Sequence, residues 1–265
     1  MTIYQASSVS MAELATVFNQ AFSDYLIEVY FTRDSLREYV HRHGLDLDAS
    51  LVVGADGLLV GLLLSGSDSG TTWNAGMGMH PNWRRRGLGS ELLDEWLAIS
   101  RQAGLERALL EVIKQNLVAT NLYRSRGFKE VRAYQGFEGR PAWERRAPIN
   151  PETFEQVDVE DLIPVYRRGH SWQKRPDVLR RLGSFEVLRT KNGEGYLIYE
   201  NVGGLMYIFD MTPNDEGRAL LEHATRREVP RLIRVVNAID LVEEDLYRQL
   251  GFRPWIRNVE MVLRL

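Results

Sequence analysis

Residues 84–90 read Arg-Arg-Arg-Gly-Leu-Gly-Ser, three guanidinium groups followed by two glycines two positions apart. They stand between a strand-like run, Thr71–Met79, and an apolar pattern of helical period that begins at Leu88. A strand, a glycine turn and a helix start form an anion site, because the first N–H groups of a helix lack internal partners and its dipole favours negative charge there. Glycine lets a phosphate approach the main chain, and arginine binds phosphate in bidentate fashion. The spacing therefore predicts a cradle for the pyrophosphate of a nucleotide-bearing cofactor, built from Arg84, Arg85, Arg86, Gly87, Leu88, Gly89 and Ser90. Taken alone, the pattern also fits a solvated basic turn. It is not a dinucleotide fingerprint, since Leu92 stands where a third glycine would be, and no phosphate-loop Gly-x-x-x-x-Gly-Lys motif occurs.

The elements that must position this loop follow from periodicity. A strand is expected at Thr2–Ala6, then a helix capped by Ser10 with Glu13 three residues on, carrying Leu14, Val17, Phe18 and Phe22 on one face. A second helix is expected over Asp34–His43. Leu51–Val53 and Leu58–Leu64 read as a hairpin turned at Ala55-Asp56-Gly57. After Thr71–Met79, His80-Pro81-Asn82 breaks the strand. Leu88, Leu92, Leu93, Trp96 and Leu97 trace a helix ending before Gly104. A buried strand over Ala108–Ile113, a helix over Leu117–Arg126, and strands from Phe128 and over 141–148 complete about 150 residues of mixed α/β with one core.

The order then repeats from Pro151: a strand near Phe154, helices at 159–168 and 176–182, and strands over Phe185–Leu188, Gly195–Tyr199 and Leu205–Met211. A helix at 215–228, a strand at 232–236, a helix at 241–250 and final strand segments follow. Residues 116–128, NLVATNLYRSRGF, share seven of thirteen identities with residues 240–252, DLVEEDLYRQLGF, and Met79-His80-Pro81-Asn82 matches Met211-Thr212-Pro213-Asn214. The matches fall in the same order, which predicts two homologous domains, 1–149 and 150–265.

Composition narrows the chemistry. A formal charge of −3 over 265 residues makes no global case for nucleic acid. The absence of cysteine excludes disulfides, thiolate metal sites and a cysteine nucleophile, and suits a cytoplasmic setting. Leu58–Leu64 is the longest clear apolar run, far below the roughly 20 residues that span a bilayer, and no basic-then-apolar leader opens the chain. No metal site is expected.

The first half resembles the GCN5-related N-acetyltransferase (GNAT) family. Two motifs carry the likeness: RRRGLGSELL at 84–93, matching the [Gln/Arg]-x-x-Gly-x-[Gly/Ala] loop, and Asn116-x-x-Ala119-x-x-Leu122-Tyr123-x-x-x-Gly127-Phe128. The likeness covers residues 2–148. It implies a mostly antiparallel sheet, flanked by helices, in which two central strands splay and acetyl-CoA inserts. Met77, Gly78 and Met79 would meet the pantetheine arm, the 84–90 loop the pyrophosphate, and Asn116 a pantetheine amide. Tyr123 would act as general acid toward the departing thiolate, with direct attack by the amine of a small molecule. A non-catalytic acyl-CoA sensor is the alternative.

In the second half, Leu246-Tyr247-Arg248 and Gly251-Phe252 persist, but Asn214-Asp215-Glu216-Gly217 replaces the basic loop and Asp240 replaces Asn116. Two carboxylates should repel a pyrophosphate, so this domain is expected to bind no CoA and to cover the substrate side of the first or to dimerise. Glu111, which interrupts the apolar run 108–113, is a candidate base, although a salt-bridged edge residue fits as well. By the same resemblance Asp24, Tyr25 and Glu28 border the acceptor amine. His41 and His43 read as surface, and Trp172 and Trp255 as core or pocket lining.

Overall fold

Ser10 opens the first helix through a full capping box. Its Oγ accepts from Glu13 N–H, and the Glu13 carboxylate accepts from Ser10 N–H. The computed structural model describes residues 1–140, 153–162, 171–181, 185–238 and 241–265. Contacts divide the chain into two units, Met1–Arg132 with Glu260–Leu265, and Ala133–Val259. The expected strand at 141–148, the joint at 149/150, most of the expected helix at 159–168 and Asp240 lie outside the described residues. Residues 159–161 form a 3₁₀ turn.

The first unit runs β1 (Thr2–Gln5), α1 (Met11–Ala21), α2 (Arg33–Arg42), β2 (Leu51–Ala55), β3 (Leu58–Asp68), β4 (Thr71–Met79), α3 (Leu88–Gln102), β5 (Arg107–Ile113), α4 (Leu117–Ser125) and the start of β6 (Lys129–Gly139). Strands β1 to β4 pair antiparallel in sequence order, and β4 pairs parallel with β5. Asp56 and Gly57 both take positive φ between β2 and β3, the geometry of a two-residue type I′ turn. The following strand is longer than expected. It reaches Asp68 and returns through Ser69-Gly70, a second turn with two positive φ values.

Helices cover both faces of this sheet. On one, Phe18 and Phe22 of α1 and its end press on Gly76 and Gly78, and a Cβ at Gly78 would lie 2.8 Å from Phe22. On the other, Trp96 of α3 donates to Ser65 Oγ at 2.8 Å, and Ser65 bonds Thr72 Oγ1. Arg126 forks onto Asp94 with both bonds at 2.9 Å, tying the end of α4 to α3. His43 is a correction to the surface expectation. It is buried against the rings of Tyr39 and Trp73, while His41 stays exposed.

The second unit runs from the end of β6 through β7 (Phe154–Gln156), α5 (Pro176–Arg181), β8 (Glu186–Thr190), β9 (Tyr196–Val202), β10 (Leu205–Met211), α6 (Asp215–Glu228), β11 (Leu232–Ala238), α7 (Leu241–Gln249) and the start of β12 (Arg253–Arg264). The duplication is visible in its details. β9 turns into β10 through Gly203-Gly204, both at positive φ, as β3 turns into β4. Gly204 O accepts from Arg231 and Leu232 N–H, as Gly70 O accepts from Glu106 and Arg107 N–H. β10 pairs parallel with β11, as β4 does with β5. Both α4 and α7 end at a positive-φ glycine, Gly127 or Gly251, and the next Phe N–H returns to the tyrosine carbonyl of its helix. Trp172 is core, with Arg175 stacked on it at 4.0 Å, and half-buried Trp255 carries Arg234 at 4.1 Å.

Candidate active site

The parallel ladder of β4 and β5 ends at Asn74 opposite Leu110, although β4 continues to Met79 and β5 to Ile113. Just beyond it Ala75 bulges, since Leu64 faces Gly76 while Ser65 faces Asn74. A bulge reverses which face the following residues point to. Asn74 therefore shares its face with Thr72 and α3, Gly76 and Gly78 face α1, and Met77 and Met79 lie under Gly89 of α3. The Ala75 carbonyl accepts from Tyr39 Oη at 3.2 Å.

A cleft of about 660 Å³ opens from this gap. Its walls are Met77–Met79 on β4, Arg84, Arg85, Gly87, Gly89 and Ser90 around the start of α3, Gln115–Ala119, Leu122 and Tyr123 leading into and along α4, and Ala21, Phe22, Asp24, Tyr25 and Leu26 from the end of α1 onward. Leu117 and Val118 stand 64% and 85% exposed at its mouth, an apolar lip suited to an aliphatic chain.

Gly87 caps α3 in the left-handed region at φ 86°, and Arg85 before it also has positive φ. Ser90 and Glu91 N–H both return to Gly87 O, so the Leu88 and Gly89 N–H groups, ahead of the first helical bonds, remain for an outside acceptor. A Cβ on Gly89 would meet nothing closer than 3.6 Å. The three arginines divide their work. Arg84 is spent within the protein: Nε donates to Met79 O at 3.0 Å, Nη1 to Asp24 Oδ2 at 2.7 Å, and Nη2 to Asp24 Oδ1 at 2.6 Å and to Ala21 O at 3.0 Å. Arg86 lies over the Trp83 ring at 4.6 Å. Arg85 lines the cleft. Asp24 and Arg84, expected at opposite ends of the reaction, thus form one clamp between the end of α1 and the end of β4.

The Arg84 guanidinium holds the Asp24 carboxyl below its ordinary value. A lowered folded value adds stability above the unfolded pKa, near 3.9, and that stability is lost as pH falls through the folded value. Asp24→Asn should lower the melting temperature slightly at pH 7, because the pair is half-exposed. The difference from wild type should be smaller at a pH below that unfolded value than at pH 7. An equal difference at both pH values would sink this account.

Tyr123 is 6% exposed, and burial pushes its hydroxyl well above the ordinary tyrosine value; Tyr25 adds to the rise and the Asn74 carboxamide opposes it. The hydroxyl is therefore protonated at neutral pH. Asn116 caps α4 by accepting from Ala119 N–H at 3.1 Å and turns its amide to the Tyr25 hydroxyl, which burial also raises. Tyr25, expected on the acceptor side, thus belongs to the floor of this cleft. Glu28 lies in an adjoining pocket with Asn19, Tyr30 and His80, which shares Phe22 and Tyr25 with the cleft. Glu111 is half-buried on the face carrying α2. Its charge, after burial, raises the Tyr39 hydroxyl that holds the Ala75 carbonyl. Asn74, Tyr39 and the Ala75 bulge were not singled out in sequence; each acts through a non-local contact.

The second unit is closed at the corresponding place. Asn214 Oδ1 caps α6 by accepting from Gly217 N–H at 2.9 Å. The Glu216 carboxylate accepts from Thr190 Oγ1 and Asn192 Nδ2, and a Cβ on Gly217 would lie 2.0 Å from Thr212 O. Among the described residues no helix is long and apolar enough to cross a membrane.

Residues 12–128 match the model of the Acetyltransferase (GNAT) family. No curated protein matches the sequence significantly. Among solved structures the chain is similar to a tandem GNAT protein from the clavulanic acid biosynthesis pathway, at 15% identity and TM-score 0.71, over 99% of this chain and 98% of that one. It is also similar to a GCN5-related N-acetyltransferase from Sphaerobacter thermophilus, at 16% identity and TM-score 0.69, over 99% and 95% of the two chains. A third, a GCN5-related N-acetyltransferase from Anabaena variabilis, matches at 17% identity and TM-score 0.59, over 98% of this chain and 72% of that chain. The segment that holds the cleft is thus a domain of the acetyltransferase (GNAT) family, and the chain as a whole has the fold of a tandem GNAT protein.

Proposed function

We propose that the chain is an acetyl-CoA-dependent N-acetyltransferase that acylates a primary amine of a small molecule in a cytoplasmic setting, with its one cofactor site in the first domain. The observation that carries this reading is the gap where β4 and β5 part, which brings a helix start with two uncommitted N–H groups and a buried tyrosine hydroxyl to one cleft. Acetyl-CoA, when bound, supplies an acyl thioester. The Leu88 and Gly89 N–H groups and Arg85 would hold its pyrophosphate, and the apolar lip of Leu117 and Val118 its pantetheine arm. The main-chain N–H groups of Met77 and Met79, which point away from β3 past the end of the β4/β5 ladder, would donate to the thioester oxygen. An amine nitrogen attacks the carbonyl carbon, the new C–N bond forms as C–S breaks, and Tyr123 gives its hydroxyl hydrogen to the sulfur. Glu111, half-buried on the opposite face of the sheet, would take the amine proton. Positioning of this kind accounts for up to roughly 7–11 kcal/mol of a barrier. The closed start of α6 supports a second domain without a cofactor.

The test is thermal unfolding with ligand, followed by thiol release. Acetyl-CoA at 100 times its Kd should add about 2.7 kcal/mol of stability, and NAD should add none. Free thiol should then appear with at least one member of a panel of small primary amines. Binding without release on any amine would favour an acyl-CoA sensor. No binding would overturn the reading.

A further inference from the structure

Asn74 is the last residue of the β4/β5 ladder and is 5% exposed. Its Oδ1 accepts from Gly76 N–H at 3.0 Å, which secures the turn around the Ala75 bulge. Its Nδ2 is buried with no well-formed hydrogen bond. An unmet buried donor is costly, and native structures keep few of them. The carboxamide adjoins the Tyr123 hydroxyl on the face shared with α3 and α4.

The chemistry of the two groups sets a direction. An amide nitrogen only donates, whereas a phenol oxygen both donates and accepts. Facing Nδ2, the Tyr123 oxygen must act as acceptor, and its own hydrogen turns away from β4 into the cleft. The second domain serves as an internal control. Its parallel ladder ends at Ile208 opposite Val235, followed by a bulged Phe209, so Ile208 occupies the place of Asn74. Tyr247, the counterpart of Tyr123, is wholly buried among Phe137 and Phe252. The copy with an open cleft keeps the amide, and the copy with a closed helix start carries an aliphatic side chain there.

We propose that Asn74 is a positioning residue whose Nδ2 donates to the Tyr123 hydroxyl oxygen and thereby aims the hydroxyl hydrogen at the sulfur of the thioester. The inference rests on the acyltransfer reading above. A donated hydrogen bond also favours the ionised phenol, which offsets part of the effect of burial on its acidity.

Two variants and two readouts test it. Asn74→Asp keeps an oxygen for Gly76 N–H but offers Tyr123 an acceptor, which diverts the acidic hydrogen. Asn74→Leu removes the donor at similar volume. Each should lower kcat by 10- to 100-fold and leave KM for acetyl-CoA within threefold. In the Tyr123→Phe background the same substitutions should change kcat less than twofold. In the ligand-free protein, the side-chain amide signals in a ¹⁵N–¹H spectrum that vanish in Asn74→Leu, or in Asn74→Asp should the former fail to fold, should shift in Tyr123→Phe. An active wild type whose Asn74 variants lose equal activity in both backgrounds would overturn the proposal and leave the acyltransfer reading standing. Unmoved amide signals would do the same. A wild type that releases no thiol with any amine would overturn both.

Discussion

Gly89→Asp is expected to weaken acetyl-CoA binding at least 100-fold without loss of fold. Gly89 is the second residue of α3, and a Cβ there would meet Met77, Met79 and Leu122 only at 3.6–3.9 Å, ordinary contact distances. A carboxylate in the first turn of a helix is favoured by about 0.3–1 kcal/mol, and replacing a helical glycine adds a similar amount through the unfolded chain. The melting temperature should therefore hold or rise. Binding should respond in the opposite sense, because the new charge occupies the approach to the Leu88 and Gly89 N–H groups. A 100-fold loss corresponds to about 2.7 kcal/mol. Titration calorimetry measures it, with Gly89→Ala as the steric control, expected within tenfold of wild type. A Kd for Gly89→Asp within threefold of wild type would move the pyrophosphate away from this loop.

Tyr123→Phe should lower kcat by 10- to 100-fold or more, with KM for acetyl-CoA within threefold. General acid catalysis contributes typically 10²–10⁴-fold, and thiolates leave with less help than alkoxides, which sets the lower end. The ring stays to fill its place against Phe128, so packing is kept. Tyr247→Phe is the matched control. That tyrosine ends the same motif in the second domain, where Ile208 replaces Asn74 and the helix start is closed, so kcat should not move. Steady-state thiol release on the two variants decides the matter. Unchanged turnover in Tyr123→Phe would remove the acid role.

The sequence alone determined whatever depends on neighbours in the chain. The Ser10 capping box, the turn at Asp56-Gly57, the glycine cap of α3 and the Tyr-x-x-x-Gly-Phe helix ends are set within a few residues, where local hydrogen bonds and allowed φ values decide the outcome. The loss of the basic loop in the second copy was legible for the same reason. Tertiary structure decided the pairings across distance. Arg84 is committed to Asp24 sixty positions earlier, a contact that no periodicity encodes. The bulge at Ala75 reverses the facing of the rest of β4, so Asn74 and Met77 share a side that strict alternation would deny them. Tyr25 joins Asn116 and Tyr123 because the segment after α1 folds over the gap. The last residues of β12, Glu260–Leu265, belong to the first unit although the rest of that strand belongs to the second. Residue types and their spacing thus specified a pyrophosphate cradle and a tyrosine. Only contacts between residues far apart in the chain determined which arginine is committed within the protein, and only burial of polar groups against one another, where an unmet hydrogen bond is costly, determined which amide faces the hydroxyl and where the acid can point.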